Sequence, residues 1–224
     1  MVSAVLVAAG SGRRMGCKKQ FMDISGAPLI SYALTVFQNS EADEIILVTA
    51  KDDIEAMREI SSKYGISKLK AIVPGGAERS DSVISGLSAA SGEFVLIHDG
   101  ARPFIKPDEI SEAISAVKKY GAVCLGYPVK DTIKITDGKG YIKSTPDRSN
   151  LFAAATPQCF GTELIKSAYE KVKNDGVFVT DDAAAAEYIG TKVKLITCSC
   201  ENIKITTPED VWMAEAVIKR RNGK

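Results

Sequence analysis

The chain has 224 residues, 45% of them hydrophobic and 25% charged, and its 29 Lys and Arg against 28 Asp and Glu give a net charge of +1. This length fits one large domain or a domain with an appendage, and the composition excludes an intrinsically disordered chain. A near-neutral charge argues against a nucleic-acid partner, because binding a phosphate backbone requires a surplus of cations. No apolar run approaches the roughly 20 residues that span a bilayer. The sequence enters a strand-like run at once, with no cleavable leader before it. The odd number of cysteines fits reduced thiols better than a set of disulfides. We therefore expect a cytoplasmic protein without a membrane partner.

Strand-like and helix-like segments alternate along the first 130 residues. Short apolar runs without polar alternation predict strands that are buried on both faces, at residues 3–9, 44–50, 69–73, 93–98 and 122–129. Apolar residues repeat with helical spacing between them, at Val83, Leu87 and Ala90 and at Ile110, Ile114 and Val117. The alternation predicts an α/β fold with a mostly parallel sheet, in which ligands bind beyond the carboxyl ends of the strands.

The alternation stops near Asp131, where the sequence predicts a β-hairpin. Residues 132–136 and 141–145 flank the turn Asp137-Gly-Lys-Gly140, which is rich in residues that tolerate positive φ. A lone hairpin is only marginally stable in water, so we expect it to pack on a second copy of the chain. The α/β pattern then resumes, with helices at 161–173, 180–188 and 208–220 and a strand at 194–197.

The strongest local signal is AAGSGRRMGCKKQ at residues 8–20, directly after the first strand. Glycine lets backbone N–H groups approach an anion, and successive N–H groups in a turn form an anion-binding nest. The loop also carries four cations within seven positions, Arg13, Arg14, Lys18 and Lys19. This cluster suits a triphosphate, although its spacing matches neither the P-loop nor the dinucleotide fingerprint. On residue type alone, a glycine turn with solvated basic side chains is an equal alternative.

A second candidate site is HDGARP at residues 98–103, at the end of the fourth predicted strand. A carboxylate here that faces a phosphate-binding loop suits Mg²⁺, which takes one or two carboxylates together with substrate phosphates. Asp99 could instead only cap the following turn. His98 is the one histidine of the sequence, and its neighbours favour a structural role.

Three further polar segments follow strands or open helices. PGGAERSDS at residues 74–82 joins a glycine turn to a helix start and could hold a ribose or a base through its backbone and Ser82. Thr180-Asp181-Asp182 is typical of a helix N-cap. Lys204 lies on a predicted strand edge before a helix opened by Pro208, where an isolated lysine is usually solvated.

Taken in order, these segments resemble the 2-C-methyl-D-erythritol 4-phosphate cytidylyltransferase family of the non-mevalonate isoprenoid pathway. The resemblance covers nearly the whole chain and rests on AAGSGRRMG with KKQ, PGGAERSDSV, HDGARP, PVKDTIK, the DR of residues 147–148, TPQ, TDDA and NIKITTPED. It implies a single nucleotidyltransferase domain over residues 1–224 with a Rossmann-like, three-layer α/β/α fold and a mostly parallel sheet. It also implies a protruding β-hairpin arm at about 131–155, through which two chains form a homodimer and complete each other's sites.

The resemblance further implies a reaction and the residues that perform it. The family transfers CMP from CTP to 2-C-methyl-D-erythritol 4-phosphate and releases pyrophosphate, with Mg²⁺ that Asp99 would hold. Arg14 and Lys19 match residues that stabilise the transition state. Arg148, acting across the dimer, and Lys204 match residues that position the sugar phosphate. The positions that match CTP contacts are Ala8, Ala9, Gly10, Ser11, Gly12, Arg13, Lys19, Gly76, Ala77, Ser82, Asp99 and Gly100. Those that match the sugar-phosphate pocket are Arg102, Thr132, Arg148, Thr156, Thr180 and Lys204.

Two alternatives stay open beside this function. Ribitol-5-phosphate cytidylyltransferase has a similar nucleotide-binding half, but PVKDTIK and TDDA follow the methylerythritol pattern. A regulatory protein that binds CTP without turnover would not need Arg14, Lys19, Asp99, Arg148 and Lys204 together. Gly100 departs from the family, which usually has alanine there, and we expect this difference to have little effect.

Overall fold

Eleven strands and seven α-helices form within residues 1–10, 12 and 18–223, the part of the chain that the computed structural model describes. The strands are β1 (Val2–Val7), β2 (Asp23–Ile24), β3 (Ala27–Pro28), β4 (Glu44–Thr49), β5 (Leu69–Pro74), β6 (Phe94–Asp99), β7 (Ala122–Pro128), β8 (Ile135–Thr136), β9 (Ile142–Ser144), β10 (Phe152–Gly161) and β11 (Lys194–Thr197). The helices are α1 (Leu29–Gln38), α2 (Ile54–Lys63), α3 (Arg79–Ala89), α4 (Pro107–Tyr120), α5 (Thr162–Asn174), α6 (Asp182–Tyr188) and α7 (Pro208–Arg221).

The central sheet has the strand order β11-β7-β10-β6-β1-β4-β5. Strand β10 runs antiparallel to its neighbours β6 and β7, and the remaining pairs are parallel. All six residues of β4 are buried, as expected for a strand covered on both faces. The mostly parallel α/β sheet that the sequence predicts is therefore confirmed.

Two apolar clusters cover the two faces of this sheet. Because successive side chains of a strand point to opposite faces, Leu6 of β1 packs in one cluster with residues of α1, α2 and α4. Its neighbour Val5 packs in the other cluster with residues of α3, α5 and α6. Helix α3 approaches the sheet closely, since a Cβ at Gly86 would lie 2.4 Å from Val5 Cγ1. The result is a three-layer α/β/α arrangement with the starts of α3 and α6 near one rim of the sheet.

The five strands predicted in the first half of the chain are confirmed within two residues at each end. Strand β10 is absent from the prediction, because its sequence FAAATPQCFG is rich in alanine and contains a proline, which cannot donate a ladder hydrogen bond. The structure accommodates Pro157 at a register shift between Ala154 and Gln158. Residues 152–155, which the sequence assigns to the arm, are the first residues of this strand.

The predicted hairpin is present but short. Ile135 pairs with Ser144 and Thr136 with Ile142, and Gly138 and Gly140 take the positive φ values that the turn requires, +80° and +93°. Its side chains are exposed, including the apolar ones at Ile133, Ile135, Tyr141 and Ile142. Within the described ranges, no helix combines the length and the apolar character needed to cross a membrane.

Candidate active site

A cavity of about 530 Å³ opens beyond the carboxyl ends of β1, β5 and β6. The ends of β1 and β6 are adjacent, because Val7 pairs with Asp99 in the parallel ladder. Among the residues that line the cavity are the predicted nucleotide contacts Ala8, Ala9, Gly10, Lys19, Gly76, Ala77, Ser82, Asp99 and Gly100. Residues from four separate segments of the sequence therefore meet at one rim of the sheet, as the strand ends predict.

A smaller cavity of about 190 Å³ adjoins the first. It is lined by the predicted sugar-phosphate residues Arg102, Thr156, Thr180 and Lys204, together with Ala154, Ala155, Gln158 and Asp181. Arg79, Asp99 and Lys204 line both cavities. These three charged side chains form the boundary between the two spaces.

Some predicted site residues lie elsewhere or outside the described ranges. Ser11, Arg13 and Arg14 fall outside the described residues, and Gly12, with a φ of +64°, lines neither cavity. Thr132 and Arg148 are exposed on the arm side of the chain and do not line these cavities either. The Nη1 of Arg148 donates to Lys130 O at 2.7 Å. A single chain thus does not bring the arm residues to its own cavity.

Asp99 lies at the centre of the boundary and is only 7% exposed. Its Oδ2 is 2.7 Å from Lys204 Nζ and 3.8 Å from Arg102 Nε, and its Oδ1 accepts from Arg79 Nε at 3.2 Å. Burial by itself would raise the pKa of this carboxyl, but the charges of Arg79 and Lys204 outweigh it and hold the pKa well below its usual value. Asp99 is therefore a charged carboxylate surrounded by cations.

The prediction that Lys204 lies on a strand edge is wrong. Residues 202–206 form an irregular segment that is fixed by hydrogen bonds to neighbouring loops rather than by a ladder. Ile205 N donates to Ala101 O at 2.8 Å, and Asn202 Nδ2 donates to Thr156 O at 2.7 Å. These bonds on both sides of Lys204 direct its side chain to Asp99 instead of leaving it solvated.

Arg79 is a site residue that the sequence analysis missed. Its Nη1 and Nη2 donate to the two carboxylate oxygens of Asp182 at 2.8 Å each, while its Nε holds Asp99. Asp182 is completely buried and also accepts from Tyr169 Oη. A signal was present in the sequence, because Arg79 is the first residue of α3, where the helix dipole disfavours a cation unless an anion compensates it.

The N-cap interpretation of residues 180–182 is confirmed for Asp181. Its Oδ1 accepts from Ala184 N at 2.9 Å, and its Oδ2 accepts from Gln158 Nε2 at 2.8 Å. Gln158 Oε1 in turn accepts from Ala183 N at 2.7 Å. Gln158 of β10 thereby joins the start of α6 to the sheet and keeps Thr180 at the smaller cavity.

The loop before α3 is held by its own side chains. Ser82 Oγ accepts from Gly76 N at 3.2 Å and donates to Glu78 O at 3.1 Å, so the hydroxyl supports the loop from a position that is only 3% exposed. A Cβ at Gly75 would lie 2.4 Å from Ala9 Cβ. Glycine at this position therefore lets the loop lie against the segment that follows β1, which closes the wall of the larger cavity.

Gly100 matters for its small size, because its backbone N–H is already used in a hydrogen bond within the protein. Its N–H donates to Val7 O at 2.9 Å, which joins the turn after β6 to the end of β1. A Cβ at this position would lie 2.7 Å from Ile30 Cδ1, the end of a flexible side chain, and 3.1 Å from Ala8 Cβ. A small shift of Ile30 would accommodate alanine, in keeping with the small effect expected from the sequence.

His98 has the structural role that the sequence favours. It is fully buried, and its Nε2 lies 2.9 Å from Arg102 O, which can only accept, so Nε2 carries the proton. Thr156 Oγ1 accepts from Asp99 N at 3.1 Å and can donate its own proton to His98 Nδ1, also at 3.1 Å. A neutral imidazole thus fixes the turn that carries Asp99 and Arg102.

We expect His98 to make the stability of the fold depend on pH in a window where few other groups titrate. Burial lowers its pKa from 6.5 to about 4, so between these values the unfolded chain binds one more proton than the native chain. The free energy of unfolding is therefore expected to fall as the pH drops through this window, by about 1.4 kcal/mol per pH unit. Urea denaturation at a series of pH values measures this slope.

The control is His98→Gln, which removes the titrating group. Each protein is compared with its own stability near neutral pH, so that any packing loss in the variant cancels. Asp99 and Glu44, whose pKa values are also lowered, add acid sensitivity that begins as the pH falls through the usual carboxyl range, and this contribution is present in the wild type and the variant alike. An equal slope between pH 6.5 and about 4.5 in the wild type and the variant would contradict a neutral, buried His98.

The carboxylates of the site fit a metal ion that enters with a polyphosphate. Asp99 supplies one carboxylate to the larger cavity, and Mg²⁺ commonly uses one or two carboxylates with substrate phosphates. In the described residues, no group of three or more His, Cys, Asp or Glu side chains is gathered to hold a metal. The carboxylate of Asp99 therefore fits Mg²⁺ whose remaining ligands include phosphate oxygens.

Known proteins resemble the chain over nearly its full length. The family model for 2-C-methyl-D-erythritol 4-phosphate cytidylyltransferase matches residues 2–220. The enzyme of that name from Clostridium botulinum (strain Loch Maree / Type A3) is 47% identical over 223 residues, which cover 97% of each chain. The crystal structure of 4-diphosphocytidyl-2C-methyl-D-erythritol synthase from Anaerococcus prevotii DSM 20548 superimposes with a TM-score of 0.90 at 36% identity, covering 98% of this chain and 96% of that one. The Thermus thermophilus cytidylyltransferase structure gives a TM-score of 0.80 at 29% identity, covering 98% of this chain and 100% of its own. With a match over nearly its full length, the chain belongs to the 2-C-methyl-D-erythritol 4-phosphate cytidylyltransferase family.

Proposed function

We propose that this chain transfers CMP from CTP to 2-C-methyl-D-erythritol 4-phosphate, giving 4-diphosphocytidyl-2-C-methyl-D-erythritol and pyrophosphate for isoprenoid precursor biosynthesis. The observation that carries the proposal is the boundary shared by the two cavities, which is lined from both sides by Arg79, Asp99 and Lys204. A nucleotide in the larger cavity and a sugar phosphate in the smaller one would meet at this cationic boundary. Membership in the family supports the identity of both substrates.

The larger cavity has the size and the wall expected for a nucleotide. Its volume of about 530 Å³ lies within the usual range for small-molecule sites. Residues 8–10 and Gly76 leave backbone close to the cavity, where N–H groups can meet phosphate oxygens. Lys19 adds a cation to the same wall, and its Nζ donates to Ile205 O at 3.2 Å, beside Lys204.

The smaller cavity is lined by a fixed cation, Arg102, which supports an anionic ligand. Arg102 Nε is buried, and no hydrogen-bond partner for it is found among the described residues. Its other two nitrogens are engaged, since Nη1 donates to Asn202 O at 2.8 Å and Nη2 to Ala154 O at 3.4 Å, and these bonds fix the guanidinium in place. Nε itself is closed off from the cavity and faces Asp99 Oδ2 at 3.8 Å, so the support for a phosphate group is the fixed positive charge of this guanidinium in the cavity wall.

The reaction follows from charge placement. A phosphate oxygen of the sugar phosphate attacks the α-phosphorus of CTP, the new P–O bond forms, and the bond to the β-phosphate oxygen breaks as pyrophosphate leaves. The nucleophile is already an anion and needs no general base, which agrees with the burial of His98 away from both cavities. The remaining barrier is repulsion between two anions, which Lys19, Lys204 and Arg102 would reduce by fixed positive charge.

We also propose that the reaction depends on Mg²⁺. The ion would be held by Asp99 and the triphosphate, and when bound it would neutralise charge on the phosphate oxygens. Lys204 occupies one oxygen of Asp99 in the structure. Its ammonium and the metal would therefore compete for that carboxylate.

The arm supports a homodimer in which Arg148 and Thr132 of one copy act at the other copy's site. Both residues lie outside the cavities of their own chain. The hairpin exposes Ile133, Ile135, Tyr141 and Ile142, which a second arm could cover. A two-stranded hairpin needs such packing to be stable.

The cysteines support a cytoplasmic location. Cys124, Cys159, Cys198 and Cys200 are free thiols, and the first three are buried. Burial raises the pKa of Cys124 to about 12 and that of Cys159 well above its usual value, so these thiols are packing groups rather than nucleophiles. Unpaired cysteines of this kind are typical of a reducing compartment.

Turnover with defined substrates tests the proposal. The purified chain is incubated with CTP, Mg²⁺ and 2-C-methyl-D-erythritol 4-phosphate, and the diphosphate product and pyrophosphate are followed by phosphorus NMR. We expect both products, and we expect chelation of the metal to stop their formation. Faster turnover with ribitol 5-phosphate would identify the other cytidylyltransferase. CTP binding without pyrophosphate release from any sugar phosphate would identify a regulatory protein.

A further inference from the structure

A buried carboxylate outside both cavities holds the two neighbours of Lys19. Asp53 ends the 3₁₀ turn Lys51–Asp53 after β4 and is 5% exposed. Its Oδ1 accepts from Lys18 Nζ at 2.5 Å, and its Oδ2 accepts from Gln20 Nε2 at 3.3 Å. Each oxygen of this one carboxylate therefore engages one of the residues that flank Lys19.

These two contacts of Asp53, which we call the clamp, act with the local backbone to set the direction of the Lys19 side chain. Residues Lys19–Phe21 form a 3₁₀ turn, in which Phe21 N donates to Lys18 O at 3.0 Å. Successive side chains of such a turn are separated by about 120°. Because the side chains before and after it contact Asp53, that of Lys19 points in a different direction, and it lines the larger cavity beside Gln20.

Asp53 does not make the hydrogen bond that is usual for an aspartate at its position in a helix. It is the N-cap residue of α2, where an Asp side chain usually accepts a hydrogen bond from the first turn of the helix. No such cap bond is made by its side chain. The carboxylate is turned instead toward the segment 18–20, where it accepts from Lys18 and Gln20.

We propose that Asp53 is a positioning residue that holds the turn at 18–20 so that the ammonium of Lys19 faces the nucleotide. The proposal rests on the proposed function, in which Lys19 supplies positive charge to the phosphates. Asp53 lines neither cavity and can act on a substrate only through the segment 18–20, in which Lys19 and Gln20 line the larger cavity. Displacing a catalytic group by about 1 Å can cost roughly 100-fold in rate, so loss of the clamp is expected to slow the chemical step more than it weakens substrate binding.

The test is a double-mutant cycle between Asp53→Asn and Lys19→Ala, with Asp52→Asn as the matched control. Asp52 lies in the same 3₁₀ turn and is exposed, so its variant should keep wild-type kcat. We expect Asp53→Asn to lower kcat by about 10-fold or more with little change in the KM for either substrate. In the Lys19→Ala background the same change should cost nothing further. A merely structural role would lower activity equally in both backgrounds.

Folding and function are separated within the same experiment. Circular dichroism and thermal unfolding show whether each variant folds, and Lys18→Met, which breaks the clamp from its half-exposed side, replaces Asp53→Asn if that variant does not. Wild-type kcat for Asp53→Asn, or the same loss with and without Lys19, would overturn the positioning role. Absence of turnover in the folded wild type would contradict the proposed function alone. The phosphorus chemical shifts of bound CTP, which report a nearby ammonium without a change in affinity, would then be compared across the same four proteins to complete the cycle.

Discussion

Replacing Lys204 with methionine is expected to lower kcat/KM for the sugar phosphate by about 100- to 1,000-fold, the loss typical of removing a charge-stabilising donor from an active site. Methionine keeps the apolar stem and removes only the ammonium. That ammonium lies 2.7 Å from Asp99 Oδ2 and lines both cavities, so it is placed where the two anionic substrates would meet. Steady-state kinetics with each substrate varied in turn measures the effect.

The same substitution is expected to have a smaller and separate effect on the metal. Without Lys204, Asp99 Oδ2 loses an ammonium at 2.7 Å, while Arg102 Nε stays 3.8 Å away. The concentration of Mg²⁺ that gives half-maximal turnover should therefore decrease even though turnover itself is slow. Affinity for CTP, measured by titration, should change little.

Lys192→Met is the control for this prediction, because Lys192 is exposed and lines neither cavity. It should leave kcat, KM and the Mg²⁺ requirement as they are in the wild type. If Lys204→Met weakened CTP binding as much as it slowed turnover, Lys204 would be a nucleotide contact rather than a group for the sugar phosphate. If it changed neither, the shared boundary would have no catalytic role.

The sequence predicts the parts of the fold that rest on local patterns. Apolar runs of β-branched and aliphatic residues locate β1, β4, β5, β6 and β7, and parallel strand ends bring Ala8, Gly76 and Asp99 to one rim. Strand β10 has no such run, since alanines and Pro157 replace it, and only its neighbours in the folded sheet make it a strand. Strand propensity therefore fails to predict β10, which runs antiparallel to both of its neighbours.

The contacts that organise the site could not be predicted in the same way, because they join distant segments. Arg79 and Asp182 are 103 positions apart, and Lys18 and Asp53 are 35 apart. Residue type does not distinguish Asp181, which caps α6, from Asp182, which is buried against Arg79. The role of each aspartate depends on the residues that the fold brings close to it. The sequence of α6 alone does not contain that information.

The charges at the boundary explain how a chain of net charge +1 can hold two phosphoesters. Arg79, Arg102 and Lys204 gather around Asp99, and the buried Asp182 compensates Arg79. The cations are thus held in place before a substrate arrives, and little reorganisation is needed when negative charge enters. Such a site depends on its buried carboxylates as much as on its cations.

Replacing Arg79 with methionine is therefore expected to lower the free energy of unfolding by about 3–5 kcal/mol, the cost of breaking a buried ion pair and leaving one partner behind. Asp182 would lose both guanidinium hydrogen bonds and keep, among those found in the described part of the chain, the one from Tyr169. Its side chain has no exposed surface through which water could replace them. Urea denaturation at neutral pH measures the loss.

Two further variants separate this charge effect from lost packing. Arg58→Met breaks a pair between Arg58 and Glu55 in which both side chains are exposed, so it should cost at most about 1 kcal/mol.

Arg79→Met combined with Asp182→Asn removes the charge that would be left unpaired, and it should be more stable than Arg79→Met alone. The double variant should nevertheless turn over slowly, because Asp99 Oδ1 has lost the donor that orients it. A double variant no more stable than the single one would show that Arg79 supports the fold by its bulk and not by its charge.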